Sequence, residues 1–320
     1  EQPEASTRAF RNLDNRWGGG SVSRGAVLAQ LRWVLDSVNS SPLLIGGSKR
    51  FLSAAAGLAS VAAFICYDLE RHEEARRLWL LALRACREAD NGGLAGATLR
   101  CLAHQSLHLD RPDEALGLVG LAYSMAAGGG HGGVRLALAE TAAYQEWCYA
   151  MAGDAQAVVV RSDAEDRFAR AAADEVPEWL AYFDAVELAA LRGHALHVLA
   201  RREPSAALAA QPLLWQAVQA RPASFARSRT LNLIALSISH LQAGDDLEQV
   251  VAVGREALGG VHALASPRSL VRLRKLERAI RPLAGAHAEV AELHQRVKDA
   301  LGDTVDRPAG DGERVGRVLR

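Results

Sequence analysis

Aromatic residues are scarce in this sequence, at 5% of 320 residues, and lysine occurs only at Lys49, Lys275 and Lys298. The 49% hydrophobic content is therefore built mainly from alanine, leucine and valine. Alanine and leucine favour close helix–helix packing over strand pairing. The alternation of apolar and polar residues that marks a half-buried strand is nearly missing. The composition predicts an all-α protein.

An excess of positive charge is also missing, because 37 basic and 37 acidic residues give a formal net charge of +0. Proteins that bind phosphate backbones usually carry a basic surface, since neutralised phosphates supply much of the affinity. We therefore expect this chain by itself to bind neither nucleic acid nor an anionic membrane. The sequence has no uninterrupted apolar run of about 18 residues. We expect no membrane span and a cytoplasmic location.

Cysteine is rare, and its spacing does not suggest a metal site. Cys66, Cys86, Cys101 and Cys148 all fall inside apolar, helix-like segments. None belongs to a CxxC pair or lies near a histidine at metal-ligand spacing. We predict free thiols buried as small hydrophobic groups in a reducing compartment.

A repeat organises the middle of the chain. Ala75, Ala115 and Ala155 are spaced by 40 residues, and each opens the pattern Ala-x3-apolar-x2-small. Another small residue precedes each of them by twelve positions, at Ala63, Ala103 and Ala143. Because helical positions three and four apart share a face, the pattern predicts pairs of antiparallel helices with small residues where they touch.

The second half of this unit resembles the tetratricopeptide repeat, most closely over residues 72–83. The first half lacks the Trp and Gly of that repeat, and the period exceeds its usual length of about 34, so a HEAT-type repeat stays open. The resemblance implies a tetratricopeptide-like α-solenoid of about five helix hairpins plus capping helices over residues 21–301. Residues 1–20 are then a linker from an upstream domain, and residues 302–320 a disordered tail. Outside the three clearest repeats, helices are predicted at 22–38, 187–201, 204–218, 267–280 and 286–301.

Several further motifs together resemble one group of actinobacterial regulators. They are residues 13–20, 63–68 and 82–90, Pro177-x-Trp179-x3-Phe183-Asp184, Arg229 with 240–245, and Ser266-x-Arg268. The group carries a Cro/C1-type helix-turn-helix followed by a tetratricopeptide-like region, and the likeness spans residues 10–283. It implies the sensing and dimerising part of a homodimeric transcription regulator that contacts DNA only through a domain absent from this chain. The sequence starts at Glu1 without a Met, so we expect it to be part of a longer or processed protein.

The resemblance places a ligand-binding groove along the first helix of each unit. The positions that would line it are Tyr67, Arg100, His104, Glu140, Tyr144, Trp147, Arg192, Asn232 and Ser239. Aromatic rings, cations and one carboxylate suit a peptide, protein or small-molecule signal with apolar and charged parts. The alternative role for these side chains is packing between repeats. The alternative function is a protein–protein adaptor without a small ligand.

No pattern in the sequence predicts catalysis, a metal or a cofactor. The glycines of 128–133 follow a helix and lack the Lys-Ser/Thr of a phosphate-binding loop. His104 and His108 have a zinc-compatible spacing but no visible third ligand. Ser-His-Asp combinations lack a nucleophile elbow, so we expect no enzyme. The basic helix within 268–281 is predicted to be a solvated capping face, with contact to DNA or an acidic partner as the alternative.

Overall fold

The computed structural model describes residues 2–22, 24–40, 47–128, 133–160, 163–171 and 175–302. Helix accounts for 85% of these residues and none of them is in a strand, which confirms the all-α prediction. The α-helices are α1 Gln2–Trp17, α2 Arg24–Ser40, α3 Gly47–Asp68, α4 His72–Ala89, α5 Gly92–His108, α6 Pro112–Ala127, α7 Val134–Ala152, α8 Ala155–Val160, α9 Ala164–Arg170, α10 Ala185–Leu199, α11 Ser205–Ala220, α12 Ala226–Ala243, α13 Leu247–His262, α14 Pro267–Ile280 and α15 Ala288–Gly302. Most of the predicted glycine loop (129–132) and of the predicted tail (303–320) lies outside the described residues.

Helices that are neighbours in the chain pack as pairs, namely α3 with α4, α5 with α6, α10 with α11 and α12 with α13. A left-handed residue follows the first helix at four turns: Glu70 before α4 and Asp110 before α6 at φ 59°, Gly153 before α8 at 78°, and Gly244 before α13 at 76°. A left-handed residue of this kind ends a helix, because it turns the chain away from the helix axis. The five helices predicted outside the clearest repeats differ from the observed ends by at most two residues.

Small residues lie at the contacts within each pair. Ala75 and Ala115 are both 0% exposed, as predicted. Ala155 is only partly buried. It begins the short helix α8, which has six residues and is followed by the separate helix α9. The sequence after it contains three consecutive valines, which have lower helix propensity since their branched side chains crowd the preceding turn. The third repeat therefore departs from the first two.

Residues 2–17 form α1, where the sequence predicted a linker. Thr7 and Asp14 are buried and Phe10 is partly buried against the core, so residues at i, i+3 and i+7 form one contact face. α1 packs on α3 and on α12. After α1, Gly18 adopts φ 87°, and a Cβ there would stand 2.7 Å from the carbonyl oxygen of Ala265. Gly18 and Gly20 therefore allow the backbone after α1 to pack directly against the backbone at Ala265, where a side chain would not fit.

The Asp68 carboxylate, at the end of α3, lies at the centre of this junction and is 0% exposed. The Gly19 N–H donates to Oδ2 at 2.8 Å, and the Ser266 hydroxyl donates to Oδ1 at 2.9 Å. Nε of Arg268 lies 3.2 Å from Oδ1. Burial alone would raise the pKa of Asp68, but Arg227, Arg268 and these hydrogen bonds hold the pKa below its ordinary value. The carboxylate is ionised and compensated on several sides.

Arg227 of α12 extends the same network to α1. Its Nη1 lies 2.6 Å from Oδ1 of Asp14 and 3.6 Å from Oδ2 of Asp68. Two backbone hydrogen bonds run alongside, from Ala265 N–H to the Trp17 carbonyl at 2.9 Å and from Gly20 N–H to the Ala265 carbonyl at 2.8 Å. The first helix of the chain is thereby joined to α3, α12 and the start of α14.

The segment Lys49–Asp68 of α3 is long and apolar enough to cross a membrane, judged by length and composition alone, with mean hydropathy 1.6. In this structure, 67% of that apolar window is buried inside the protein. A central helix that is covered on several sides has the same composition. The hydropathy of α3 therefore agrees with its place in the core.

We predict that Ala115→Leu destabilises the protein by about 1–3 kcal/mol, because the added side chain overpacks a fully buried helix contact. Urea unfolding followed by circular dichroism measures the change. The control is Ala252→Leu, which makes the same substitution at an exposed position of α13. Equal stability of the two variants would contradict the assigned helix contact.

Candidate ligand cavity

Seven helices surround a cavity of about 180 Å³, namely α1, α3, α5, α7, α10, α12 and α14. An apolar cavity of about 150 Å³ is large enough to hold benzene. This cavity therefore has space for a small molecule of about one ring with substituents, and not for an extended peptide.

Aromatic side chains from α5, α7 and α10 form one wall. The rings of Trp147 and His194 are stacked, with centroids 5.4 Å apart and planes 9° from parallel. His104 lies 5.5 Å from Trp147 and 6.0 Å from Tyr144, centroid to centroid. Burial lowers the pKa of His194 to about 3 and that of His104 well below its ordinary value. Both imidazoles are neutral at pH 7, and the wall presents a flat, mainly apolar face.

Among the side chains that line the cavity, three uncharged polar atoms are buried without a hydrogen-bond partner. They are Nε1 of Trp147, Nδ1 of His104 and Nδ2 of Asn232. The other end of the Asn232 amide contacts Nε2 of His194 through Oδ1 at 2.9 Å. Buried polar atoms are nearly always paired with protein or water. These three atoms belong to lining residues on three different helices, α7, α5 and α12.

Arg272 of α14 also lines the cavity, and it forms no hydrogen bond or ion pair with any residue that the structure describes. Arg268, one turn earlier, differs because it pairs with Asp68. Burial lowers the pKa of Arg272, and the positive charges of Arg268 and Arg201 lower it further, against an opposing effect of Tyr67 and Glu70. Arg272 thus places an uncompensated positive charge at one end of the cavity.

Four of the nine predicted groove residues line the cavity: His104, Tyr144, Trp147 and Asn232. Arg100 and Glu140 do not line it, although they lie on the same helices. Nε of Arg100 lies 2.6 Å from Oε2 of Glu140, and the two side chains are 1% and 0% exposed. The Tyr182 hydroxyl donates to the other oxygen of Glu140 at 2.5 Å. This pair links α5 to α7 beneath the cavity wall.

The other three predicted residues also make contacts between helices instead of lining the cavity. The ring of Tyr67 lies 4.4 Å beneath the Arg268 guanidinium. Nε of Arg192 lies 3.1 Å from a carboxylate oxygen of Glu146. The Ser239 hydroxyl lies 3.1 Å from Nδ1 of His197. Their partners come from neighbouring helices, which a pattern within one helix does not reveal.

The basic helix predicted to be a solvated capping face is only partly solvated. Arg268 is 3% exposed, and Arg272 and Lys275 are partly buried on the same face, whereas Arg274 and Arg278 are exposed. The residues missed by sequence reasoning include Asp14 of α1, which contacts this part of the molecule from the opposite end of the chain. The sequence of α14 does not indicate which of its arginines face the interior of the protein.

Three possible metal-ligand side chains meet at Glu70, His72 and His108, with one donor atom of each within 4.8 Å of the others. Nε2 of each imidazole lies 3.1 Å from an oxygen of Glu70. Nδ1 of each ring is buried without a partner, so no described residue accepts the hydrogen bond that normally orients a metal-bound histidine. The set is best described as one carboxylate shared by two imidazoles. His104, the other member of the zinc-spaced pair, lines the cavity instead.

No family model fits this sequence, and the curated proteins contain no match to it. The likeness to tetratricopeptide repeats and to helix-turn-helix regulators therefore depends on the motifs alone, and the cavity is the basis for inferring function.

We predict that Arg100→Met destabilises the protein by about 3–5 kcal/mol, because removal of one partner leaves the Glu140 charge buried. Chemical denaturation measures the loss. Lys49→Met is the control, since Lys49 and Asp90 form an exposed ion pair and such pairs contribute about 0–1 kcal/mol. Similar losses in both variants would show that burial of the Arg100 pair is not the cause.

We also predict that His194 makes the protein acid-sensitive. Its pKa is about 3 in the fold against an ordinary 6.5, so only the unfolded chain takes up this proton between those values. Stability therefore falls as pH decreases from about 6.5 towards 3. His194→Gln should flatten this decrease by about 1–3 kcal/mol, whereas His262→Gln, at an exposed site, should not. Unfolding free energies at pH 7 and pH 4.5 test this, and parallel pH profiles for wild type and His194→Gln would refute it.

Proposed function

We propose that this chain is a small-molecule-sensing, tetratricopeptide-like helical domain of a bacterial transcription regulator. The observation that carries the proposal is the cavity with a stacked aromatic wall and unpaired polar atoms on Trp147, His104 and Asn232. Apolar enclosure with a few convergent polar groups is the usual form of a small-molecule site. The 40-residue repeat and the buried small residues Ala75 and Ala115 support the repeat assignment.

The construction of the cavity suits a sensor. Its wall includes α1 from the start of the described chain and α14 from near its end. A ligand that contacts both ends favours the arrangement in which they meet. A preference of about 1–3 kcal/mol is the usual size of coupling between two sites. Occupancy of the cavity would then alter the position of any domain attached next to α1.

The regulator assignment is supported by the place where its motifs meet. Motif residues from 13–20, 63–68 and 266–268 contact one another around Asp68, through Gly19, Ser266 and Arg268. In this proposal the chain acts as a dimer and contacts DNA through a separate helix-turn-helix domain. Sequencing the coding region upstream of Glu1 tests this part, and an open reading frame without a helix-turn-helix would argue against it.

A protein–protein adaptor is the second candidate, and exposed apolar side chains favour it. On α6, Leu121 is 57% exposed and Met125 is 42% exposed, one turn apart, and Tyr123 lies between them in the chain at 39%. On α4, Leu80 is 48% exposed. Apolar groups on one helix face are suited to a partner protein or to a second copy of the chain.

We predict that small aromatic monocarboxylates of one-ring size, such as benzoate and phenylacetate, bind in the cavity, where the ring stacks on Trp147. Isothermal titration calorimetry should show affinity at least about tenfold weaker for Trp147→Ala, because stacking and an N–H donor are both lost. Trp33→Ala, at a 47% exposed position on α2, is the control.

A second variant distinguishes loss of ligand binding from loss of folding. Ser228→Phe places a ring at the cavity wall and should abolish binding, while the circular dichroism spectrum remains that of the wild type. If none of the ring compounds binds, or if Ser228→Phe binds them as well as the wild type does, the cavity is not a sensor site. The result would then favour the protein–protein adaptor.

A further inference from the structure

A second cavity, of about 400 Å³, opens beside the first between α10, α12 and α14, and it shares no lining residue with the first. Its wall consists of Asp110, His197, Arg201, Ile238, Leu241, Gln242, Lys275, Arg278 and Ala279. Three cationic side chains therefore face one carboxylate across this space.

The three cations are not ion-paired with any described residue, although Asp110 lines the same cavity; Lys275 is partly buried, and Arg201 and Arg278 are exposed. Arg201, Lys275 and Arg278 form no hydrogen bond or ion pair with any residue in the described part of the chain. Arg268 and Arg281 are paired, with Asp68 and Glu277 respectively, whereas Arg274 on α14 also forms no ion pair with a described residue. What distinguishes Arg201, Lys275 and Arg278 is that all three line the same cavity.

The pKa of Lys275 reflects its burial and the positive charges around it. Burial and the positive charges of Arg272, Arg201 and Arg278 together lower its pKa to about 8, while Asp110 opposes them. His197 adds no charge at neutral pH, because burial lowers its pKa well below the ordinary value. Three positive charges beside a single carboxylate leave a net repulsion that destabilises the protein, and a bound anion reduces that repulsion.

We propose that this second cavity binds a small phosphorylated molecule, with the phosphoryl group held by Lys275 and Arg201. A guanidinium can hydrogen-bond two phosphate oxygens and an ammonium acts as a point charge, so the pair suits a tetrahedral dianion. A single carboxylate would leave positive charge in excess.

The apolar part of the wall and the size of the cavity fit the same ligand. Ile238, Leu241 and Ala279 line the space beside the cations and can contact an organic group attached to the phosphate. A recess between three helices admits a small ligand, whereas duplex DNA would reach only its rim. The inference does not depend on the proposed function, because the ring-binding cavity has a separate wall.

The test is calorimetric titration of the full chain with pyrophosphate and with inorganic phosphate at low ionic strength. Pyrophosphate should bind, and Lys275→Gln and Arg201→Gln should each bind about tenfold more weakly. Arg274→Gln is the matched control, since it removes the same charge from an exposed position on α14. Absence of pyrophosphate binding, an equal loss in Arg274→Gln, or equally tight binding of malonate would each overturn the proposal.

A second readout reports on Lys275 directly. Because only three lysines are present, each can be followed by NMR after reductive ¹³C-methylation, which preserves the positive charge. Saturating pyrophosphate should raise the pKa of Lys275 from about 8 by at least one unit and leave exposed Lys49 and Lys298 unchanged. An unchanged Lys275 titration would overturn the proposal. Unaltered benzoate binding by Lys275→Gln would separate this result from the fate of the first cavity.

Discussion

The structure depends above all on the burial of the Asp68 carboxylate. A charged side chain at 0% exposure costs several kcal/mol unless hydrogen bonds and opposite charges replace its water. The replacement groups come from the glycines after α1, from Arg227 on α12, and from Ser266 and Arg268 at the start of α14. Without Asp68, Arg268 would be buried without a carboxylate partner, and Arg227 would keep only Asp14. The network therefore fixes four of the helices around the cavity, α1, α3, α12 and α14, relative to one another.

The repeated part of the fold could be predicted from the sequence because its interactions are local. Ala75 and Ala115 mark contacts between consecutive helices, and the spacing that identifies them is also the spacing that brings them together. The packing of residues 2–17 could not be found in this way. Asp14 reaches its partner Arg227 across 213 residues, and neither residue carries a local pattern that names the other. A polar segment followed by three glycines therefore suggested a linker, while its burial depends on charges supplied from far along the chain.

The candidate site could be predicted only in part, for a similar reason. Helix geometry indicates which side chains face inward, and His104, Tyr144, Trp147 and Asn232 do line the cavity. It does not indicate which inward charges neutralise each other. Arg100 forms an ion pair with Glu140 and does not line the cavity. Arg272 forms no ion pair with a described residue and does line the cavity. From the sequence, both are an arginine on a helix with apolar neighbours. The difference lies in the side chains of adjacent helices, which only the three-dimensional arrangement shows.

The distance in sequence between Asp14 and Arg227 has a consequence for biosynthesis. Ribosomes add roughly 5–20 residues per second, so about 10–40 s pass between synthesis of Asp14 and synthesis of its partner. During that interval the nascent chain can already pair α3 with α4 and α5 with α6, but α1 has no α12 to pack against and Asp68 is still in water. α1 is thus synthesised before its partners α12 and α14, and it docks late. In the growing chain, its buried face is a surface available to chaperones until α12 and α14 have left the exit tunnel.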